Sequence, residues 1–284
     1  MFINTKGRLI DLTHPRIMGI INVTDDSFYS GSRHTSPGDI LSVAGKMLGE
    51  GAAILDIGGC STRPGSKAVS EAIERERVCR AAEIILSRYT DAVISVDTYR
   101  ASVAEAAVMN AGASIINDIS GGEMDSGMFP LVTKLNVPYI MMHMQGTPET
   151  MQQSPHYDDV VADILVWFGS RVAKLRGAGV TDIILDPGFG FGKSSADNFE
   201  MLRRFSAFRI AGLPLMAGIS RKSMVWKTLN ISPDEALVGT AALNMAALMN
   251  GASLLRVHDV REAREVITLF EKIYPSGRLF DHYS

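Results

Sequence analysis

The chain has 284 residues, of which 46% are hydrophobic and 21% charged, with 28 Lys and Arg against 31 Asp and Glu for a formal net charge of −3. This is the profile of a folded globular chain with a sizeable core, and the lack of a basic surplus argues against nucleic acid as a partner. The length fits one (β/α)8 barrel of about 250 residues with short extensions and leaves little room for a second domain.

The opening MFINTKGRLIDLTHPR has no uninterrupted apolar stretch of signal-peptide type, and nowhere do about 18 apolar residues run without a charge. No membrane span is expected, and a cytoplasmic location is the default. Strands are then predicted at 16–22, 53–57, 92–97, 114–118, 138–143, 182–186, 214–220 and 253–258, each a short Val, Ile, Leu and Met run of the kind buried on both faces in a parallel sheet. Amphipathic segments at 71–88, 99–111, 158–177 and 259–273 lie between them, so the alternation predicts an α/β fold, a TIM-type (β/α)8 barrel forming a single domain over 1–284. GEGAAILDIG, NAGASIIND and MNGASLLRV repeat one junction, a helix closing on glycine before a buried strand. Thr24 to Gly38 and Cys60 to Ser70 read as long mobile loops, which in a compact domain are usually lids. Cys60 and Cys79 lack the number and spacing of a disulfide framework or a zinc site and are expected to be reduced thiols.

The runs finish in polar residues: Asn22, Asp56, Asp97, Asn117, His143, Asp186, Ser220 and Arg256. Carboxyl ends of barrel strands converge on one face, so these side chains should line one pocket. Arg63 in the second loop and Arg256 with His258 beside it supply guanidinium forks suited to phosphate oxygens. Asp56 and Asn117 also fit a plain role capping turns, and His143 fits a satisfied structural histidine; no site role is assigned to it. DPGFGFGKS lacks the glycine spacing of a nucleotide loop, because Pro187 stands where the first glycine of that motif belongs.

Eight motifs occur in barrel order: MGIINVTDDSF from Met18, LDIGGCSTRPGS from Leu55, SVDT from Ser95, IINDISGG from Ile115, MHMQGTP from Met142, DPGFGFGK from Asp186, GISRKS from Gly218 and RVHDV from Arg256. In these the chain resembles the dihydropteroate synthases of the pterin-binding family, the folate-pathway enzymes targeted by sulfonamides. The resemblance implies condensation of 6-hydroxymethyl-7,8-dihydropterin diphosphate with p-aminobenzoate to 7,8-dihydropteroate and pyrophosphate. It implies catalytic roles for Asp97, Asp186, Lys222 and Arg256. Asp97, Asn117, Asp186 and Lys222 would read the pterin edge, Arg256 would stack on its face and Met142 would floor the pocket. Asn22, Arg63, Arg256 and His258 would take the diphosphate, with Mg2+ on Asn22. Phe28, Thr62, Pro64, Phe191, Lys222 and Ser223 would hold p-aminobenzoate, in a pocket assembled only after pterin diphosphate binds. Asp56 would support the loop carrying Arg63, and Ser220 would introduce Lys222 and Ser223.

Against the usual family pattern, Asp25 replaces a proline, the first loop lacks a carboxylate around Ser30, Cys60 replaces a glutamate and Arg100 a lysine. A methyltetrahydrofolate-dependent methyltransferase shares the barrel but has no use for Arg63 or the RVH triplet. A catalytically silent pterin-binding paralogue should have lost anion-binding residues that are present here, and a Schiff-base aldolase would need a depressed lysine at Lys222. The stretch Ala236 to Met249 is almost uncharged around its circumference, which predicts a covered helix and a homodimer.

Overall fold

The computed structural model describes residues 1–24, 36–60, 69–151, 153 and 155–275. It opens with an antiparallel hairpin, β1 (Phe2–Thr5) and β2 (Arg8–Asp11), that the pattern of longer apolar runs did not reveal. The signal was present: Lys6 and Gly7 both take left-handed φ, 54° and 94°, the two-residue turn that matches strand twist, and Ile3 and Ile10 pair across it.

The barrel strands follow: β3 (Arg16–Asn22), β4 (Ile54–Gly58), β5 (Ile94–Asp97), β6 (Ile115–Asp118), β7 (Tyr139–Met142), β8 (Ile183–Asp186), β9 (Met216–Ala217) and β10 (Leu254–Val257). All pair in parallel in the order β8-β7-β6-β5-β4-β3-β10-β9, and a parallel bridge between Leu185 and Leu215 joins the two ends into a closed ring. Seven of the predicted strands sit within two residues of their expected limits. The run at 214–220 shrinks to two paired residues, because Gly218 to Ser220 leave the ladder and turn towards the next helix.

Around the ring lie α1 (Pro37–Glu50), α2 (Glu71–Arg88), α3 (Ala101–Met109), α4 (Met128–Leu135), α5 (Val160–Gly177), α6 (Ser195–Arg203), α7 (Ser223–Leu229), α8 (Leu237–Met249) and α9 (Val260–Ile273). Their starts follow capping chemistry. Ser36, Ser70, Asp159 and Ser194 each accept an amide hydrogen of the first turn, and Ser194 with Asp197 forms a reciprocal capping box. The predicted glycine junction appears at Gly51, a left-handed cap with φ 106° whose amide reaches Leu48 O. No helix among the described residues is long and apolar enough to cross a membrane.

The apolar residues divide into three bodies. The largest lies between strands and helices. A second fills the barrel interior at its amino end, where Met18, Ile54, Ile115, Ile140, Ile184, Met216 and Leu254 are capped by Ile3, Ile10 and Leu12 of the hairpin. The third, Ile119, Met142, Met144 and Met151 with Tyr99 and Phe191, stands at the opposite, carboxyl end. The interior is therefore plugged with side chains below and opens only where the strands finish, which is where the site must be.

Candidate active site

Strand register decides which side chains meet. Asn22 pairs with Gly58, Gly58 with Asp97 and Asp97 with Asn117, so four neighbouring strands place one residue each in a single inward-facing row. Gly58 leaves that row open. A Cβ built on it would lie 3.4 Å from Asn22 Oδ1 and 3.6 Å from Asp97 Oδ2, so two oxygens border the gap. Met142 pairs with Asp186 on the far side. Gly218 plays the same part there, its missing Cβ standing 3.8 Å from both Asp186 Oδ2 and Lys222 Nζ.

Arg256 crosses the pocket. Its Nε donates to Asp56 Oδ2 at 2.7 Å and its Nη2 to Asp97 Oδ2 at 2.6 Å, while Asn117 Nδ2 donates to the same Asp56 oxygen at 2.9 Å. Asp56 is fully buried and lies one inward position below Gly58, so it fixes two residues expected to read the pterin. The loop segment carrying Arg63, which Asp56 was expected to support, lies outside the described residues. The turn-capping duty considered for Asn117 falls to Asp118, which takes the amides of Ser120 and Gly122 and the Tyr139 hydroxyl.

Burial pushes the Asp97 carboxyl up to about 7, with Arg256 opposing the shift. Burial disfavours the Arg256 cation too, but Asp56 and Asp97 outweigh it and hold the guanidinium above its ordinary range. Asp186 is raised by burial against the pull of Lys222, and its Oδ1 takes the Gly188 amide at 2.8 Å. Lys222 is pushed down to about 8 by burial, with Asp186 opposing. Its ammonium donates to Phe189 O and sits 4.5 Å from the centroid of the Phe191 ring. Ser223 opens α7 immediately after it.

Ser220 lies in the turn that leads to Lys222 and Ser223, and its side chain has a partner of its own. Its Oγ lies 3.1 Å from His258 Nδ1 and accepts the His258 amide at 3.2 Å, so it orients the histidine. Arg221, at φ 52°, makes a two-pronged ion pair with Asp259 at 2.8 and 2.9 Å, tying the turn that carries Lys222 to the turn that carries His258. Sequence reading passed over Arg221 because a surface arginine looks the same on paper. It also passed over Glu74, fully buried on α2, which takes the Thr98 hydroxyl at 2.6 Å and pairs with Arg100. Arg100 in turn donates to Val69 O at 3.0 Å. Cys60 is half-buried, and burial raises its thiol, as suits an unreactive small side chain. Phe28, Thr62, Arg63 and Pro64, like Asp25 and Ser30, lie outside the described residues.

Residues 18–258 match the family described as pterin binding enzyme. The chain belongs to the pterin-binding enzymes, and within them to the dihydropteroate synthases. It is 42% identical over 268 residues to the dihydropteroate synthase of Escherichia coli strain K12, covering 94% of each chain. The crystal structure of the Yersinia pestis dihydropteroate synthase in complex with a sulfonamide drug superposes with a TM-score of 0.92 at 41% identity, covering 97% of this chain and all of that one. The Xanthomonas albilineans dihydropteroate synthase with 4-aminobenzoic acid gives a TM-score of 0.87 at 38% identity, covering 96% and 97%. The family's barrel is the fold found here, and membership makes this chain a transferase of folate synthesis.

Proposed function

We propose that this dihydropteroate synthase binds pterin diphosphate across the row Asn22, Gly58, Asp97 and Asn117 and p-aminobenzoate beside Phe191, Lys222 and Ser223. The observation carrying this reading is the pair of glycine-lined gaps, one bordered by Asn22 and Asp97, the other by Asp186 and Lys222. A flat pterin needs fixed donors and acceptors along its edge, and Asp97, Asn117, Asp186 and Lys222 supply both kinds. The diphosphate faces Arg256 and His258; Arg63, the other residue expected to bind it, lies outside the described residues.

The C–O bond to the diphosphate breaks first, the electron pair leaving with pyrophosphate, and the methylene cation is conjugated with the electron-rich pterin. Asp97 and Asp186 favour the developing positive charge. The p-aminobenzoate nitrogen then forms the new C–N bond and loses a proton. Magnesium takes oxygen ligands, keeps several waters and commonly binds through few protein groups plus substrate phosphate. The Asn22 amide oxygen beside the Gly58 gap fits such an ion, and no group of three His, Cys, Asp or Glu side chains among the described residues offers a separate metal cage. Magnesium would neutralise the departing pyrophosphate there.

Sulfonamides, as p-aminobenzoate analogues, belong to the same aryl pocket. Val238 on α8 is 81% exposed on an uncharged helix, which supports a homodimer through this face; a monomeric mass by light scattering would overturn that assignment. The activity test mixes purified protein, magnesium, pterin diphosphate and p-aminobenzoate and seeks dihydropteroate by mass. Turnover is expected. Intact pterin binding without turnover would favour a silent paralogue instead.

A further inference from the structure

Lys193 is 3% exposed, and no direct contact with substrate has been assigned to its side chain. It lies 3.0 Å from His143 Nδ1, 3.3 Å from His143 O, 3.0 Å from Gly188 O and 2.9 Å from Phe191 O. Burying a lysine so completely is costly, and here one ammonium gathers acceptors from the carboxyl ends of β7 and β8.

The two segments it joins are already in backbone contact. A Cβ on Gly188 would stand 2.0 Å from His143 O, and one on Gly192 2.4 Å from Gln145 O; both glycines also have positive φ, 75° and 59°. His143 is held edge-on by Trp167, ring centroids 5.0 Å apart, and lies beside Tyr157. Burial, then the charge of Lys193, pushes the histidine down to about 2, so the ring is neutral and its Nδ1 is able to accept from the lysine. Tyr157 adds a second tether by donating to Gly192 O at 2.7 Å. Phe191 thus sits on a segment whose carbonyls at 188, 191 and 192 are all fastened, and Lys222 rests on the outer side of that segment through Phe189 O and the Phe191 ring.

We propose that Lys193 is a positioning residue for the aryl substrate: it clamps the β8–α6 turn against the end of β7 and thereby sets Phe191 at the depth p-aminobenzoate requires. This rests on the placement of the aryl pocket given above. The pterin-edge groups Asp97 and Asn117 stand on other strands and do not depend on the clamp.

The test is steady-state kinetics on the full chain with Lys193→Met, which keeps the aliphatic stem and deletes the donors. KM for p-aminobenzoate should rise roughly tenfold, as expected when a binding wall shifts by a fraction of an ångström. KM for pterin diphosphate should stay within about twofold. Because Lys193 acts through Phe191, adding Lys193→Met to Phe191→Leu should raise the aryl KM little beyond Phe191→Leu alone, whereas a general loosening of the barrel would add in full. An unchanged aryl KM in folded Lys193→Met, or full additivity with Phe191→Leu, overturns the proposal. Should Lys193→Met not fold, Tyr157→Phe decides, since it removes only the hydroxyl held on Gly192 O; it should raise the same KM by a smaller factor, and no rise overturns the clamp. Lack of turnover in the unsubstituted protein would strike the proposed function itself, a result distinct from any of these.

Discussion

Asp56→Asn isolates the charge that orients Arg256 and Asn117. One buried oxygen, Oδ2, accepts both the Arg256 Nε at 2.7 Å and the Asn117 Nδ2 at 2.9 Å, and Oδ1 has no hydrogen-bond partner among the described atoms. An asparagine oxygen can therefore occupy the Oδ2 place and keep both contacts. What is lost is the charge. Hydrogen bonds to charged groups are worth about 1.5–3 kcal/mol and neutral ones about 0.5–1.5, so the substitution should cost about 2 kcal/mol over the two bonds. Asp56→Ala goes further, stripping one partner from a buried ion pair and orphaning the Asn117 amide. Removing such a partner costs about 3–5 kcal/mol, moderated here because Arg256 keeps Asp97 at 2.6 Å, so about 4 kcal/mol is expected.

At roughly 2–4 °C per kcal/mol for a domain of this size, Asp56→Asn should lower Tm by about 4–8 °C and Asp56→Ala by about twice that. Because the guanidinium and the amide are both expected to touch the pterin, KM for pterin diphosphate should rise by roughly tenfold in Asp56→Asn. Urea unfolding and initial-rate kinetics measure the two effects. A residue that merely braced the loop after β4 would leave Arg256 in place. Wild-type stability and KM in Asp56→Asn, or equal losses in the two variants, would refute the reasoning.

Lys222 is pushed down to about 8 by burial, so its cation is present below that pH and lost above it; kcat/KM should fall as pH rises through about 8, and a flat profile between pH 7 and 9.5 would contradict this. Gly58→Ala introduces a methyl at ordinary contact distance, 3.4 Å from Asn22 Oδ1, so Tm should hold while KM for pterin diphosphate rises about tenfold; a normal KM would show that the gap is not used. Glu74→Gln removes the charge from a buried pair with Arg100 and should cost about 3 kcal/mol in urea unfolding; an unchanged midpoint would mean the pair is neutral to stability.

The strand pattern was legible because parallel barrel strands are buried on both faces and stand out as apolar runs. The polar residues that end them were legible because such residues have no place inside an apolar run unless they face a pocket. Pairing was not. Nothing in the order of residues says that Asp56 and Arg256, 200 positions apart, share a hydrogen bond, or that Arg221 clasps Asp259. Lys193 was hidden for a related reason. A lysine after glycine reads as a solvated loop residue, and only closure of two strand-end segments around it makes it interior. The hairpin was overlooked because four-residue strands carry too few alternations to register, although Lys6-Gly7 marked the turn.

Charge balance within the pocket bears on the metal. Among the described residues, Asp56, Asp97 and Asp186 face Arg256 and Lys222, three carboxyl groups against two basic side chains, with Asp56 and Asp97 already engaged by Arg256. A pterin diphosphate brings further negative charge to a site whose own charges nearly cancel. Uncompensated burial of that charge is unfavourable, and the magnesium proposed on Asn22 would offset it. Chelating magnesium should therefore raise the Kd of pterin diphosphate by roughly tenfold or more while leaving that of an uncharged 6-hydroxymethylpterin within about twofold, since only the diphosphate meets the charge deficit. Calorimetric titration of both ligands with and without chelator measures this. Equal sensitivity of the two ligands would place the metal at the pterin edge and not beside Asn22, and indifference of both would remove magnesium from the binding step.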